Sequence, residues 1–311
     1  DSTRSFDKFK VYEDKTGGGK VYAKAYFWKN AGQYNVTFEN MLNTADAKNP
    51  WTLKVALTYG GAVFKSRLVL EVPGMKGLYP FMQYQNYLGS PGNNASYDRT
   101  KKAWRDYKTS NFWGSGADKT YGTADDAFKL PSGTESFQGQ CGQCHFTGYQ
   151  GWKDEASGEL LSDAVNDING AYDIDRDGVP DEINIGCETC HGPGSKHRDE
   201  AMKTSTVAGT KSGETVNNKG KYILNPALLT AERSAVICAR CHERTLAKSA
   251  IGIKEGPITE QQTLLPPGAS RSEFVSLLSE KTYLVSEMWA DQSHPKAHRA
   301  QYMTWLRSRH A

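Results

Sequence analysis

The five-residue pattern Cys-x-x-Cys-His occurs three times in this chain, as Cys141-Gly-Gln-Cys144-His145, Cys187-Glu-Thr-Cys190-His191 and Cys238-Ala-Arg-Cys241-His242. All six cysteines fall inside these repeats. The spacing is that of a covalent c-type haem attachment site. Two thiols add across the vinyl groups of the porphyrin, and the adjoining imidazole is then held beneath the iron as an axial ligand. Closely spaced cysteine pairs also occur in zinc sites and in the short-loop disulfides of exported proteins. Neither alternative explains a histidine after every pair. The motifs therefore predict three c-type haems, attached through Cys141, Cys144, Cys187, Cys190, Cys238 and Cys241, with His145, His191 and His242 as proximal ligands. A chain wrapped around large apolar rings needs fewer apolar side chains of its own, which agrees with a hydrophobic fraction of 38% and a mean hydropathy of −0.65.

Of the seven histidines, four remain as distal candidates: His197, His294, His298 and His310. All four lie after the first motif, in the half that carries the haem sites. Three bis-histidine irons need three distal ligands, so the supply exceeds the demand by one. The link from His191 to His197 is too short to pass around a porphyrin, which directs His197 to the iron of a neighbouring haem. His298 and His310 lie on one expected helix with a rise of about 18 Å between them, so they cannot serve the same haem. None of the six methionines sits in a pattern favouring ligation over packing. Bis-histidine ligation is expected, and with it low potentials.

The chain changes texture near residue 130, and the expected fold class is mixed. Residues 1–75 read as a haem-free, sandwich-like antiparallel β domain. Val21, Ala23, Ala25 and Phe27 alternate with Tyr22, Lys24, Tyr26 and Trp28. Tyr34, Val36 and Phe38, then Leu53, Val55, Leu57 and Tyr59, then Leu68, Leu70 and Val72 repeat the pattern between glycine-rich turns. Residues 76–135 read as an aromatic-rich connecting segment, whose rings either pack the connection or wall the first haem. Residues 136–311 read as a loop-rich, mostly α-helical haem domain with little regular sheet. Helices are expected from Asn225-Pro226 into the third motif, over roughly 273–289, and from about Pro295 to the end.

Asp173-Ile-Asp175-Arg-Asp177-Gly178-Val-Pro-Asp181 has the alternating carboxylates and central glycine of a calcium loop. Asn184 stands where an EF-hand would place its closing glutamate, so a shorter calcium loop fits better. Asp118, Asp125 and Asp126 form a second, weaker loop of this kind. An acidic surface turn is the alternative for both.

A net charge of +3 with no clustered basic patch argues against nucleic acid as a partner. No apolar run is long enough to span a bilayer. Haem is attached to this motif after export, so the expected location is periplasmic, cell-surface or extracellular. The absence of a leader in front of Asp1 is read as its removal.

The string Cys187-Glu-Thr-Cys190-His191-Gly-Pro-Gly-Ser-Lys-His197, with Cys141-Gly-Gln-Cys144-His145-Phe-Thr-Gly-Tyr149 before it and Trp305-Leu-Arg-Ser-Arg-His310-Ala at the end, resembles the multihaem cytochromes related to hydroxylamine oxidoreductase and its tetrahaem electron acceptor. The resemblance covers about residues 75–311 and is strongest at the motifs. It implies distal ligation by His197 and His310. Family members usually carry a haem motif before the first one here, where this chain has its β domain. A further motif often follows the segment matching Ser308-Arg-His310-Ala. The sequence ends at Ala311, so the expectation is a piece of a larger cytochrome, or a His310 that serves a haem of a neighbouring subunit, as in extracellular cytochrome filaments. The function implied is electron transfer between closely packed haems, with redox proteins or copies of the chain as partners and no catalytic residue. The competing reading is a multihaem oxidoreductase acting on small nitrogen or sulfur compounds, which would need an open or lysine-ligated iron. No Cys-x-x-Cys-Lys occurs.

Overall fold

A computed structural model of the chain describes residues 4–9, 22–60, 65–85, 103–205, 220–243, 246–279, 289 and 301–308. It divides into two compact units, Asp1–Phe137 with Asp154–Glu159, and Gln138–Lys153 with Leu160–Ala311.

The first unit is built on one seven-stranded antiparallel sheet whose strands pair in chain order: β1 (Arg4–Phe9), β2 (Ala23–Asn30), β3 (Gln33–Asn40), β4 (Trp51–Tyr59), β5 (Lys65–Glu71), β6 (Leu78–Gln85) and β7 (Ala103–Asp106). Period-2 alternation puts Ala23, Ala25, Val36, Phe38 and Leu53 on the buried face. The β2–β3 hairpin closes through Ala31 and Gly32 at φ 45° and 88°, the left-handed pair that a two-residue turn between twisted strands requires. Alternation fails where the register slips between Leu68 and Val69, and there Leu68, Val69 and Leu70 are all buried.

The sheet extends well beyond residue 75. Strands β6 and β7, with the short ladder β8 (Trp113–Gly114) and β9 (Ala127–Phe128), occupy the span read as a connecting segment. Its rings are core of this unit. Tyr79, Phe81, Phe112 and Trp113 are fully buried with Phe38, and the Phe81 and Phe112 centroids lie 4.1 Å apart. Truncating one such ring costs about 3–5 kcal/mol. The sandwich expectation is thus replaced by a single long meander among the described residues. Val21 and the glycine turn before it, like Tyr87, lie outside them. Glu159, 2% exposed, accepts from the Lys76 and Gly77 N–H groups and from the Tyr79 hydroxyl at 2.7 Å.

The second unit corrects the expectation of a mostly α-helical domain. Its described helices are α1 (Phe137–His145), which begins on the last residue of the first unit, α2 (Cys187–His191), α3 (Ser195–Ser205), α4 (Ala231–His242), α5 (Arg271–Ser276) and α6 (Gln301–Leu306), and the longest has twelve residues. Most of the rest is turn and loop around one hairpin, β10 (Gln150–Lys153) with β11 (Leu160–Asp163). Local chemistry accounts for the short helices. Asn225-Pro226 starts only a 3-10 turn; the chain goes extended at Leu229, and α4 begins afresh with the Thr230 hydroxyl accepting from the Arg233 N–H. Ser270 and Glu273 form a reciprocal capping box for α5, which ends by Leu277, far short of 289. Residues 280–288 and 290–300 lie outside the described residues, as does the end of the last expected helix. Among the described residues no helix is long and apolar enough to cross a membrane.

Candidate haem-attachment sites and an acidic loop

All three Cys-x-x-Cys-His motifs are helical, and in each the histidine is the last residue of its helix: His145 in α1, His191 in α2 and His242 in α4. Helical i, i+3 spacing sets both sulfurs of a pair on one face. The six thiols are free of disulfides and half-buried or exposed.

The motifs are tied to one another through the residues between their cysteines. Thr189 of the second motif donates its hydroxyl to Thr147 Oγ1 at 3.2 Å, two residues after the first motif. The Thr147 hydroxyl also donates to the Asn184 carbonyl and accepts from the Gly186 N–H, both at 2.8 Å. From the third motif, the buried Arg240 donates to the carbonyls of Thr189, Leu265 and Ile237. Burial draws this guanidinium's pKa down, opposed by the negative charge that free thiols at Cys241, Cys190, Cys144 and Cys238 carry when ionised. One cation therefore feels sulfurs from all three motifs. In the first motif, Gln143 donates to the Gln140 and Glu255 carbonyls. Gly142 leaves room for the Phe146 and Tyr149 rings, which would lie 2.8–2.9 Å from an added Cβ. Burial, then the sulfurs of Cys144 and Cys141, raise the Tyr149 pKa.

Two imidazoles have a defined orientation. His191 Nδ1 lies 2.7 Å from the Leu224 carbonyl oxygen, and His197 Nδ1 lies 2.9 Å from that of Lys221. A carbonyl only accepts, so Nδ1 carries the proton in both. In the neutral ring Nε2 is then the lone-pair nitrogen available to a metal. Along α4, Ala231, Ala235, Cys238 and His242 line an open pocket of about 460 Å³ together with Tyr302 and Trp305 of α6, whose rings stack at 13°. Small residues on α4 leave an apolar slot beside a thiol and an imidazole of the third motif. Glu243, next to it, is buried and pushed up to about 7, with partial relief from the Met303 N–H.

These residues fit covalent haem: unbridged thiol pairs on helix faces, adjacent histidines, two of the imidazoles offering Nε2, and an apolar cavity beside one pair. Among the described residues, the groups of three or more potential metal ligands that converge within 4.8 Å are all carboxylate. Of the distal candidates, His197 is placed on α3; His294, His298 and His310 lie outside the described residues.

The convergent carboxylates are Asp173 with Asp175 and Asp177, and Asp175 with Asp181 and Asp163. Asp163, at the end of β11, was not legible as a member because it precedes the loop by ten residues in sequence. Burial outweighs a bond from the Ala164 N–H and raises its carboxyl. Asp118, Asp125 and Asp126 form no such group. Asp125 accepts from the Ala117 and Asp118 N–H groups, and the Thr123 hydroxyl is the main cause of its lowered pKa. Asp126 is buried beneath Trp113 Nε1 and the Gly122 N–H. Both carboxylates are engaged in closing their own turn.

No family model, curated protein or solved structure matches this chain.

Proposed function

We propose that this chain is an electron-transfer cytochrome carrying three c-type haems on Cys141/Cys144, Cys187/Cys190 and Cys238/Cys241, working outside the cytoplasm with redox proteins or further copies of itself. The observation that carries the reading is the interlocking of three helix-ending Cys-x-x-Cys-His motifs around Thr189. When bound, the haems supply one-electron redox chemistry, and the protein supplies spacing, orientation and electrostatics. His191 and His197 are held by backbone carbonyls through Nδ1, which leaves Nε2 of each as the nitrogen that would ligate. Arg240 places a fixed positive charge among the three motifs, which favours the reduced, less positive state of whatever redox centre they hold. The resemblance to the hydroxylamine oxidoreductase group, carried by the Cys141–Tyr149, Cys187–His197 and Trp305–Ala311 strings, supports this reading.

Low-temperature electron paramagnetic resonance of the oxidised protein, quantified against total haem, tests this. Three haems per chain, all low-spin and unchanged by nitrite, are expected. A high-spin share near one third that shifts on adding nitrite would replace the carrier with the oxidoreductase reading.

A further inference from the structure

The acidic loop has two parts with different chemistry. Asp173 accepts from the Arg176 and Gly178 N–H groups through its two oxygens, and Asp177 accepts from the Val179 N–H and the Asn166 side chain through its two. Those four oxygens shape the turn, which Gly178 closes at φ 97°. Although burial opposes it, the bonds from Gly178 and Arg176 hold Asp173 below its usual value. Asp181 differs. It is 2% exposed; its Oδ2 accepts from the Ile174 N–H at 2.6 Å, and its Oδ1 is buried with no hydrogen-bond partner. An unsatisfied buried carboxylate oxygen costs several kcal/mol unless something positive meets it. A ligand oxygen of Asp181 lies within 4.8 Å of those of Asp163 and Asp175. Three carboxylates drawn together, one of them with a buried oxygen that has no partner, make a cation seat.

We propose that Asp163, Asp175 and Asp181 hold a calcium ion, with Asp173 and Asp177 setting the shape of the loop around it. Ligands 2.3–2.6 Å from one ion lie at most about 5 Å apart, which the observed group satisfies. Asp163 and Asp175 are half-buried, so water can complete a coordination of 6–8 oxygens. The seat lies one step from the haem motifs. Asp181 is followed by Glu182, whose N–H donates to Val165 at 2.8 Å and whose carbonyl accepts from Thr147. Calcium here clamps β11, the loop and the Thr147 junction into one piece. This inference stands apart from the haem reading.

The test is calorimetric titration of CaCl2 into the full-length protein as isolated, stripped with chelator and desalted. One calcium per chain is expected, bound at least tenfold more weakly by Asp163→Asn and by Asp181→Asn and unchanged by Asp118→Asn. Magnesium is expected to bind at least tenfold more weakly than calcium. Circular dichroism of the calcium-free variants guards against misfolding. Removing a buried like charge should leave Asp181→Asn folded and no less stable than the calcium-free parent. No binding at millimolar calcium, full affinity in Asp163→Asn, or equal affinity for magnesium would overturn the proposal.

Discussion

The Thr189 carbonyl accepts from the Arg240 guanidinium, and each residue occupies a variable position of a Cys-x-x-Cys-His motif, the second and the third. Positions that the Cys-x-x-Cys-His pattern leaves unconstrained are thus used to join the motifs. Arg240 satisfies three carbonyls at once, those of Thr189, Leu265 and Ile237, from a side chain 3% exposed. Arg240→Leu is expected to destabilise the chain by roughly 2 kcal/mol or more, since the Thr189 and Leu265 carbonyls each lose a buried donor at about 1–3 kcal/mol, whereas the Ile237 carbonyl lies inside α4. Arg240→Lys should recover little, because one ammonium cannot reproduce the planar fork. Guanidinium unfolding of both variants checks this; a loss under about 1 kcal/mol for the leucine would remove Arg240 from the linking role.

Thr147 makes the complementary link from the first motif. Its hydroxyl is donor to Asn184 and acceptor for Gly186 and Thr189, and the residue is fully buried. Thr147→Val keeps the shape and removes the hydroxyl, so a loss of about 1–3 kcal/mol is expected. Thr147→Ser keeps the hydroxyl and should lose about 1 kcal/mol or less, mostly for the missing methyl. Equal loss in the two variants would show that packing, not hydrogen bonding, holds the junction.

The contrast between the units explains what was legible in the sequence. The strands were readable because alternation is local: Ala23, Ala25, Val36, Phe38 and Leu53 are buried as their spacing implies. The extent of the sheet was less so, since β6 breaks alternation with Leu78, Tyr79, Phe81 and Met82 all buried. In the second unit the three Cys-x-x-Cys-His motifs are visible as spacing alone. What joins them is a set of contacts between residues 42 and 51 positions apart, for which no local pattern exists. Helix lengths were overestimated because the apolar residues of 225–237 read as one helix, whereas the Thr230 cap starts a new one. Asp163 was missed for the same non-local reason.

The haem reading predicts a stepwise loss. Replacing both cysteines of one motif by alanine, in each of the three motifs in turn, should lower covalently bound haem from three to two per chain, read by intact mass and alkaline pyridine spectra. A pair whose removal leaves the haem count unchanged is not an attachment site. His197→Ala should turn one haem high-spin without changing the count, since the haem reading makes this residue a distal ligand and not an attachment point.

The acidic seat carries a pH signature whose sign follows from Asp181. Burial, then the charges of Asp175, Asp163 and Asp173 against a bond from the Ile174 N–H, raise its carboxyl from 3.8 to about 6. Between about pH 4 and 6 the folded chain holds a proton that the unfolded chain has released. Its contribution to stability therefore falls as pH rises through that window and is constant on either side. Bound calcium favours the ionised carboxylate against both burial and the neighbouring charges, so saturating calcium should flatten or reverse the fall. Glu243, raised to about 7 by burial, slopes the same way in both conditions. The informative quantity is thus the difference between chelated and calcium-loaded protein, measured by thermal unfolding from pH 4 to pH 7. Calcium should raise the melting temperature more at pH 7 than at pH 4, and Asp181→Asn should greatly reduce that difference. A calcium effect equal at both pH values would place the ion away from Asp181.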